Sequence, residues 1–231
     1  MAASASGPEL ISVHIPKTAG AAFNAVLEAV YGNENVEYDK QHSRPDTTDF
    51  DAWHRETGAA LDGRTSWPKV VTGHFWLGKY EAYRSSAHTI VWLREPASRL
   101  ISMYFYLRSR TSVLGTSAFA RGEIPVERMI EIDWPSNPMS RRFLRGYDLD
   151  DFDFVGIQEH FTKDVAELGR TLGWPAVDVP MHNRTATPVY RDFRPSAELL
   201  RKIRSVNEED VELYERALER RRTRVGVRAS L

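Results

Sequence analysis

Three side chains with the chemistry of an anion site follow short apolar runs of the sequence. Lys17 comes just after residues 10–15, Arg94 comes directly after residues 88–93, and His74 closes another short run. Lysine and arginine bind anions such as phosphate, and arginine does so through two parallel hydrogen bonds. A neutral imidazole, whose ordinary pKa is about 6.5, takes a proton from a hydroxyl group. Together the three residues predict an anion site with a general base.

Alternating strand and helix patterns place these residues in an α/β fold, a single domain with a central, mainly parallel sheet flanked by helices. Buried strands are predicted at residues 10–15, 70–74, 88–93 and 152–157. Apolar residues at helical spacing predict helices after the first and third strands, near 126–132, over 161–172 and from 207 onward. Ligands bind beyond the carboxyl ends of parallel strands. We therefore expect the site in the loops that follow the first three strands.

The loop from Pro16 to Gly20 has the composition of a phosphate cradle. Its small residues let backbone N–H groups converge on an anion at the start of a helix, whose N-terminus is electropositive. Lys17 adds a full positive charge. The loop is not a Walker A motif, because no glycine opens it and the lysine precedes the glycine. An ordinary strand–helix turn with an exposed lysine is the alternative interpretation.

A second pair of residues has the spacing of a phosphate clamp. Ser102 follows Arg94 by eight residues, which is about two helical turns. A guanidinium and a hydroxyl brought together in this way grip a phosphate. A surface arginine and an unrelated helix serine are the alternative interpretation of this pair.

The segment His14-Ile-Pro-Lys-Thr-Ala-Gly-Ala-Ala-Phe23 resembles the phosphosulfate loop of the carbohydrate sulfotransferases, most nearly the branch with heparan sulfate 2-O-sulfotransferase. The resemblance implies a P-loop-like sulfotransferase fold that binds 3′-phosphoadenosine 5′-phosphosulfate (PAPS), with Lys17 at the bridging oxygen. The loop residues that it implies around the donor are Pro16, Lys17, Thr18, Ala19, Gly20, Ala21 and Ala22. Ala21 and Ala22 depart from the branch, which often has hydroxyl residues there, so that backbone amides must do more of the binding.

Further roles follow from the same resemblance. Arg94 and Ser102 correspond to the residues that hold the 3′-phosphate, and Glu95 replaces the aspartate more often found beside that arginine. Gly73-His74 resembles the element that carries the catalytic base, so that His74 is the expected base. Arg184 lies in a late polar loop of the kind that closes over the nucleotide in related enzymes.

Two other features bear on the acceptor. Residues 137–146 resemble a segment found in many members of the family, and either face the acceptor or form a loop that runs into an amphipathic turn. Four aromatic residues are available to stack on a sugar or, as packing statistics favour, to fill the core. They are Trp76, Tyr80, Tyr104 and Tyr106.

Composition limits the remaining possibilities. The 231 residues suit a single domain, with residues 1–9 expected to form a flexible N-terminus and 223–231 a flexible basic tail. A polyanion-binding tail is the alternative interpretation of the last residues. A net charge of −1 gives no global field for nucleic acid or membrane binding. The sequence contains no cysteine, secretory signal or membrane-spanning run, which predicts a cytoplasmic protein without disulfides. Histidine spacing predicts no metal site.

The sequence therefore predicts a sulfotransferase that moves a sulfuryl group from PAPS to an acceptor hydroxyl, releases PAP and needs no metal. The acceptor is expected to be a sugar or a small metabolite. Two alternatives stay open. A phosphotransferase built on the same loop would need Mg²⁺ and ATP, and a non-catalytic nucleotide- or glycan-binding module would bind PAP without turnover.

Overall fold

A five-stranded parallel sheet forms the centre of the protein. The computed structural model describes residues 7–39, 61, 64–109, 118–131, 136–176, 190 and 192–229. The strands are β1 (Leu10–Val13), β2 (Val36–Asp39), β3 (Val70–Gly73), β4 (His88–Leu93) and β5 (Phe154–Ile157). They lie in the order β2-β3-β1-β4-β5, and every neighbouring pair is parallel. The predicted α/β fold with a mainly parallel sheet is confirmed.

Helices follow most of the strands. They are α1 (Gly20–Tyr31), α2 (Pro96–Ser109), α3 (Ala118–Arg121), α4 (Phe161–Leu172), α5 (Ala197–Ser205) and α6 (Glu208–Ala229). Gly32 ends α1 and Gly173 ends α4, both with positive φ. Helix-ending glycines adopt this conformation without the steric cost of a side chain. Shorter 3₁₀ segments and one π-helical turn, Met139–Phe143, fill the connections. Among the described residues, no helix has the length and apolar composition of a membrane span.

Both faces of the sheet are buried under helices. On one face Leu10 packs in a cluster with Phe23 of α1 and Val165 of α4. On the other, Ile11 packs in a cluster that includes Tyr214 of α6. Successive strand residues point to opposite faces, so a strand buried on both sides reads as a continuous apolar run. This is why the central strands are recognisable in the sequence.

Strand β2 is the element that sequence patterns missed. It lies inside residues 33–68, which the sequence predicts to be a polar excursion. Val36 is buried, whereas the next three residues of the strand are only half-buried. An edge strand of this kind needs few apolar side chains and gives a weak signal. The helix predicted at residues 50–57 lies outside the described residues.

The C-terminal helix corrects another prediction. Residues 223–229, expected to form a flexible basic tail, continue α6. The helix is held against α4 by two partly buried ion pairs, since Arg221 Nε lies 2.7 Å from Asp164 Oδ1 and Arg224 Nε lies 3.0 Å from Glu167 Oε1. Because these arginines bind carboxylates within the chain, they favour a structural role over polyanion binding.

Helix α6 also contacts the outer edge of the sheet. Strand β5 is an edge strand with β4 on one side only. Arg224 Nη1 donates to the carbonyl of Val155 at 3.0 Å, and Arg220 Nη2 donates to the carbonyl of Phe152 at 3.2 Å. The two arginines therefore donate hydrogen bonds to one backbone carbonyl of β5 and to one just before the strand.

Candidate active site

The loop between β1 and α1 has a strained backbone. Lys17 and Ala19 have positive φ values of 72° and 79°. Residues with a side chain adopt this region at a cost of about 1–3 kcal/mol each. Thr18 points inward instead, fully buried, and its hydroxyl donates to the carbonyl of Ile15 at 2.9 Å. The turn is thus held from within by the Thr18 hydroxyl, between two residues with positive φ.

Helix α1 begins without a side-chain cap. Ala19 precedes the helix and has no polar side chain, so no side-chain hydrogen bond reaches the first turn. The first N–H groups of an α-helix have no partner inside the helix and carry partial positive charge. Ala22 is buried and Ala21 is exposed. The first turn therefore presents backbone donors rather than hydroxyls, as the two alanines predict.

Lys17 sits in a partly dry, electropositive environment. Burial, and repulsion from Arg94, lower the pKa of Lys17 to about 8. Its Nζ lies 4.4 Å from the centroid of the Tyr106 ring, and an aromatic face attracts a cation at this distance. Tyr106 is thus a contact of Lys17, whereas the sequence left its role open between sugar stacking and core packing.

Arg94 joins the second loop to the first. Its Nη1 donates to the carbonyl of Lys17 at 3.1 Å, and its Nη2 lies 3.3 Å from the hydroxyl of Tyr190. Its Nε is buried and has no hydrogen-bond partner among the residues that the structure describes. Within the described part of the chain, neither Lys17 nor Arg94 forms a salt bridge. Two cations near a helix N-terminus, with no salt bridge to either among the described residues, are suited to an anion.

Ser102 and a second arginine lie on α2. Ser102 is 2% exposed and Arg99 is 1% exposed. Burial lowers the pKa of Arg99 to about 10, while Asp210 favours the charged form and Arg94 opposes it. Arg99 therefore adds a second guanidinium near Arg94. Neither Arg99 nor Tyr190 stands out in the sequence, because neither belongs to the eight-residue spacing of Arg94 and Ser102.

Glu95 fixes the start of α2 beside Arg94. Its Oε2 accepts from the backbone N–H of Ser98 at 2.7 Å, and its Oε1 accepts from Arg204 Nε at 3.0 Å. Glu159, which follows β5, accepts from the Glu95 N–H at 3.1 Å. Burial raises the pKa of Glu95, but the hydrogen bonds from Ser98 and Arg204 outweigh it, so that the pKa is lowered. Glu95 therefore acts as an N-cap of α2.

Replacing Glu95 with alanine is expected to destabilise the protein by about 0.5–2 kcal/mol, the range for loss of an N-cap, and to weaken anion binding at Arg94. Because the folded-state pKa of Glu95 is lowered, its stabilisation is present above the ordinary pKa of 4.5 and is lost as the pH falls below it. Chemical denaturation at two pH values measures this. Glu212→Ala, an exposed glutamate on α6, is the matched control. Equal stability of the two variants at neutral pH would contradict the capping role.

His74 follows β3 and is held by the first loop. Its Nδ1 lies 2.5 Å from the backbone carbonyl of His14. Because a carbonyl only accepts, Nδ1 must carry the hydrogen, and in a neutral ring Nε2 then carries the lone pair. The rings of His14 and Phe143 lie nearby, with centroids 4.3 Å and 6.5 Å from that of His74. This is the tautomer that a general base acting through Nε2 requires.

The segment at residues 137–146 borders the candidate base. It contains the π-helical turn Met139–Phe143, a rare form that is frequent at functional sites. Asp210 of α6 accepts from the N–H of Met139 at 3.1 Å and from that of Ser140 at 2.8 Å, which anchors the turn. Trp76 Nε1 donates to the carbonyl of Arg145 at 2.6 Å. The segment therefore forms a wall of the site, with Phe143 toward His74.

Three of the predicted side chains meet at one edge of the sheet. His74, Lys17 and Arg94 follow the carboxyl ends of the adjacent strands β3, β1 and β4. Tyr80 and Tyr104 are core residues, 1% and 4% exposed. Arg184 lies outside the described residues. The described residues hold no group of three or more His, Asp or Glu side chains suited to a metal ion.

The comparisons with known proteins give fold-level similarity only. No family model matches the chain, and no curated protein matches it. A sulfotransferase from Alicyclobacillus acidocaldarius is similar in structure, with a TM-score of 0.44 and 16% identity, over 92% of this chain and 96% of that chain. Mouse sulfotransferase SULT7A1, complexed with PAP, has a TM-score of 0.38 and 14% identity, over 87% of this chain and 65% of that chain. Similarity at this level leaves function to be argued from the chain's own residues.

Proposed function

We propose that this chain is a sulfotransferase that uses PAPS to sulfate a hydroxyl group of an acceptor. The observation that supports this most strongly is the convergence of Lys17 and Arg94 at the uncapped start of α1, next to a histidine in the tautomer of a base. The electropositive loop suits the phosphates of the donor, and the histidine suits the hydroxyl of the acceptor.

The phosphate groups of the donor suit polar groups of the site that have no hydrogen-bond partner among the described residues. In the part of the chain that the structure describes, the buried Nε of Arg94 has no hydrogen-bond partner, and Ala19 gives the first turn of α1 no side-chain cap. We propose that residues 16–22 hold the 5′-phosphosulfate through backbone amides, with Lys17 at the bridging oxygen. Arg94 and Ser102 hold the 3′-phosphate, and Arg184 is proposed as a further donor contact from the late loop.

His74 and Lys17 divide the chemistry between them. Nε2 of His74 takes the proton of the acceptor hydroxyl as its oxygen forms a bond to sulfur. The bond between sulfur and the bridging oxygen breaks in line, and the bonding electrons stay on that oxygen, where Lys17 neutralises the charge. Positioning and electrostatics supply most of the rate enhancement in such transfers, as they do in phosphoryl transfer.

The acceptor side is proposed to receive a sugar or a sugar-containing metabolite, as in the heparan sulfate 2-O-sulfotransferase branch. Trp76 supports this, because it is only half-buried and lies two residues after the candidate base. Its ring meets that of Tyr147 edge to face, with centroids 5.7 Å apart. Because Trp76 Nε1 already donates to the carbonyl of Arg145, the contact that this side chain offers a sugar ring is its apolar face.

Calorimetric titration tests the donor site directly. The protein is expected to bind PAP without metal, and Arg94→Ala is expected to weaken that binding at least about 10-fold, the loss of one charge-assisted contact. Arg201→Ala, an exposed arginine on α5, is the matched control and should bind PAP as the unaltered protein does. Preference for ATP with Mg²⁺ over PAP would instead identify a phosphotransferase. PAP binding without turnover of labelled PAPS over a panel of hydroxyl acceptors would favour a binding module.

A further inference from the structure

His14 lies between the lysine and the histidine of the candidate site and has no role in the chemistry above. It follows β1 directly, outside the strand. A side chain at Gly20 would place its Cβ 1.8 Å from the Cδ2 and Nε2 atoms of the His14 ring. Only glycine at the first position of α1 therefore leaves room for this ring. The His14 ring therefore occupies the space that a side chain at position 20 would take.

His14 contacts His74 in two ways. Its backbone carbonyl lies 2.5 Å from Nδ1 of His74, and its ring lies against the His74 ring, with centroids 4.3 Å apart and planes inclined by 43°. Phe143 is on another side of the same imidazole. A histidine ring otherwise rotates about its terminal torsion with little preference. The ring contact restricts that rotation, and the carbonyl selects one orientation.

The charge of His14 is also suited to this position. Burial, the neighbouring His74 and the positive charge of Lys17 lower the pKa of His14 to about 3. The ring is therefore neutral at physiological pH and adds no positive charge beside an imidazole that must receive a proton. A third cation next to Lys17 and Arg94 would oppose that proton transfer.

We infer that His14 is a positioning residue, whose neutral flat ring holds the His74 imidazole with Nδ1 on the backbone carbonyl, the orientation in which Nε2 carries the lone pair. The catalytic meaning of this inference rests on the proposed function. The orientation itself is a property of the protein alone and can be measured without donor or acceptor.

Nuclear magnetic resonance of ¹⁵N-labelled histidine tests the inference on the full chain. The unaltered protein and His14→Phe, which keeps a flat ring, are expected to show His74 as the Nδ1–H tautomer at neutral pH. His14→Leu, which has similar bulk without a flat ring, is expected to show a mixture with the Nε2–H tautomer. His88→Gln, at an exposed position on β4, is the control and should leave the His74 signals unchanged.

Kinetics supply the second measurement. With labelled PAPS and an acceptor, His14→Leu is expected to lower kcat about 10-fold, as losing an orienting partner typically does, while His14→Phe restores most of it and PAP affinity stays unchanged.

A pure Nδ1–H tautomer in His14→Leu would overturn the inference, as would a mixture in His14→Phe. If His14→Leu does not fold, His14→Gln takes its place with the same expectations. If the unaltered protein binds no PAP, the proposed function fails, while the tautomer comparison still decides the positioning role.

Discussion

Replacing His74 with alanine is expected to lower kcat by about 10²–10⁴-fold, the usual contribution of a general base, with little change in PAP affinity. The reason is geometric. Nδ1 of His74 lies against the His14 carbonyl, so in a neutral ring Nε2 carries the lone pair that can take a proton, and alanine offers no replacement. Steady-state kinetics with labelled PAPS measure the loss, and calorimetry with PAP measures donor binding separately.

The control for this variant is a histidine away from the site. His88→Ala changes an exposed residue at the start of β4 and should keep full turnover. Thermal denaturation of both variants separates loss of chemistry from loss of fold. Near-normal turnover in His74→Ala would show that another group takes the proton, and the assignment of the base would then be wrong.

Replacing Lys17 with methionine is expected to lower kcat by about 10²–10³-fold, the cost of removing one preorganised stabilising group from a developing oxyanion. Methionine keeps most of the side chain's length and its contact with Tyr106, but not the charge. Lys17→Arg keeps the charge and should retain part of the activity. Turnover in Lys17→Met equal to that of the unaltered protein would exclude Lys17 from the bridging oxygen.

The pKa of Lys17 gives this prediction a second, independent measurement. Since burial and Arg94 lower that pKa to about 8, part of the free protein lacks the Lys17 proton at pH 8–9, and a bound anion favours its return. PAP binding in that range is expected to take up a proton, which calorimetry detects as a heat that depends on the ionisation enthalpy of the buffer. Lys17→Arg should show no such uptake, because its guanidinium stays charged.

The same shift has a consequence for stability. Between the folded-state pKa of about 8 and the ordinary value of 10.5, the unfolded chain binds more protons at Lys17 than the folded chain does. The contribution of Lys17 to the free energy of unfolding therefore rises with pH across this window. Denaturation curves at several pH values should show this rise in the unaltered protein and a smaller one in Lys17→Met. Identical slopes would contradict the lowered pKa.

The sequence predicts those candidate side chains whose position follows from a neighbouring strand. Lys17 and Arg94 follow buried strands whose apolar runs are unmistakable, and a parallel sheet brings the ends of such strands to one edge. His74 is found for the same reason. Gly20 is recognisable as a small residue in a loop, but its packing against the His14 ring depends on a contact that no spacing rule describes.

Features made by distant parts of the chain were beyond sequence reasoning. Arg99 approaches Arg94 and Asp210 only after α2 and α6 have packed, and Tyr190 reaches Arg94 across 96 positions of the chain. The first N–H groups of the π-helical turn Met139–Phe143 donate to the carboxylate of Asp210, which lies far along the chain. A single sequence shows each of these residues, but tertiary packing decides which of them meet.

The hydrogen bonds from α6 to the edge of the sheet at β5 have a consequence for self-association at high protein concentration. An open strand edge is a template on which a second chain can add its own strand, and such addition leads to aggregation. Arg220 and Arg224 occupy carbonyls of Phe152 and Val155 that an incoming strand would need. We therefore expect these hydrogen bonds from α6 to disfavour the pairing of a second chain with β5, and Arg220→Ala with Arg224→Ala to increase aggregation at high protein concentration.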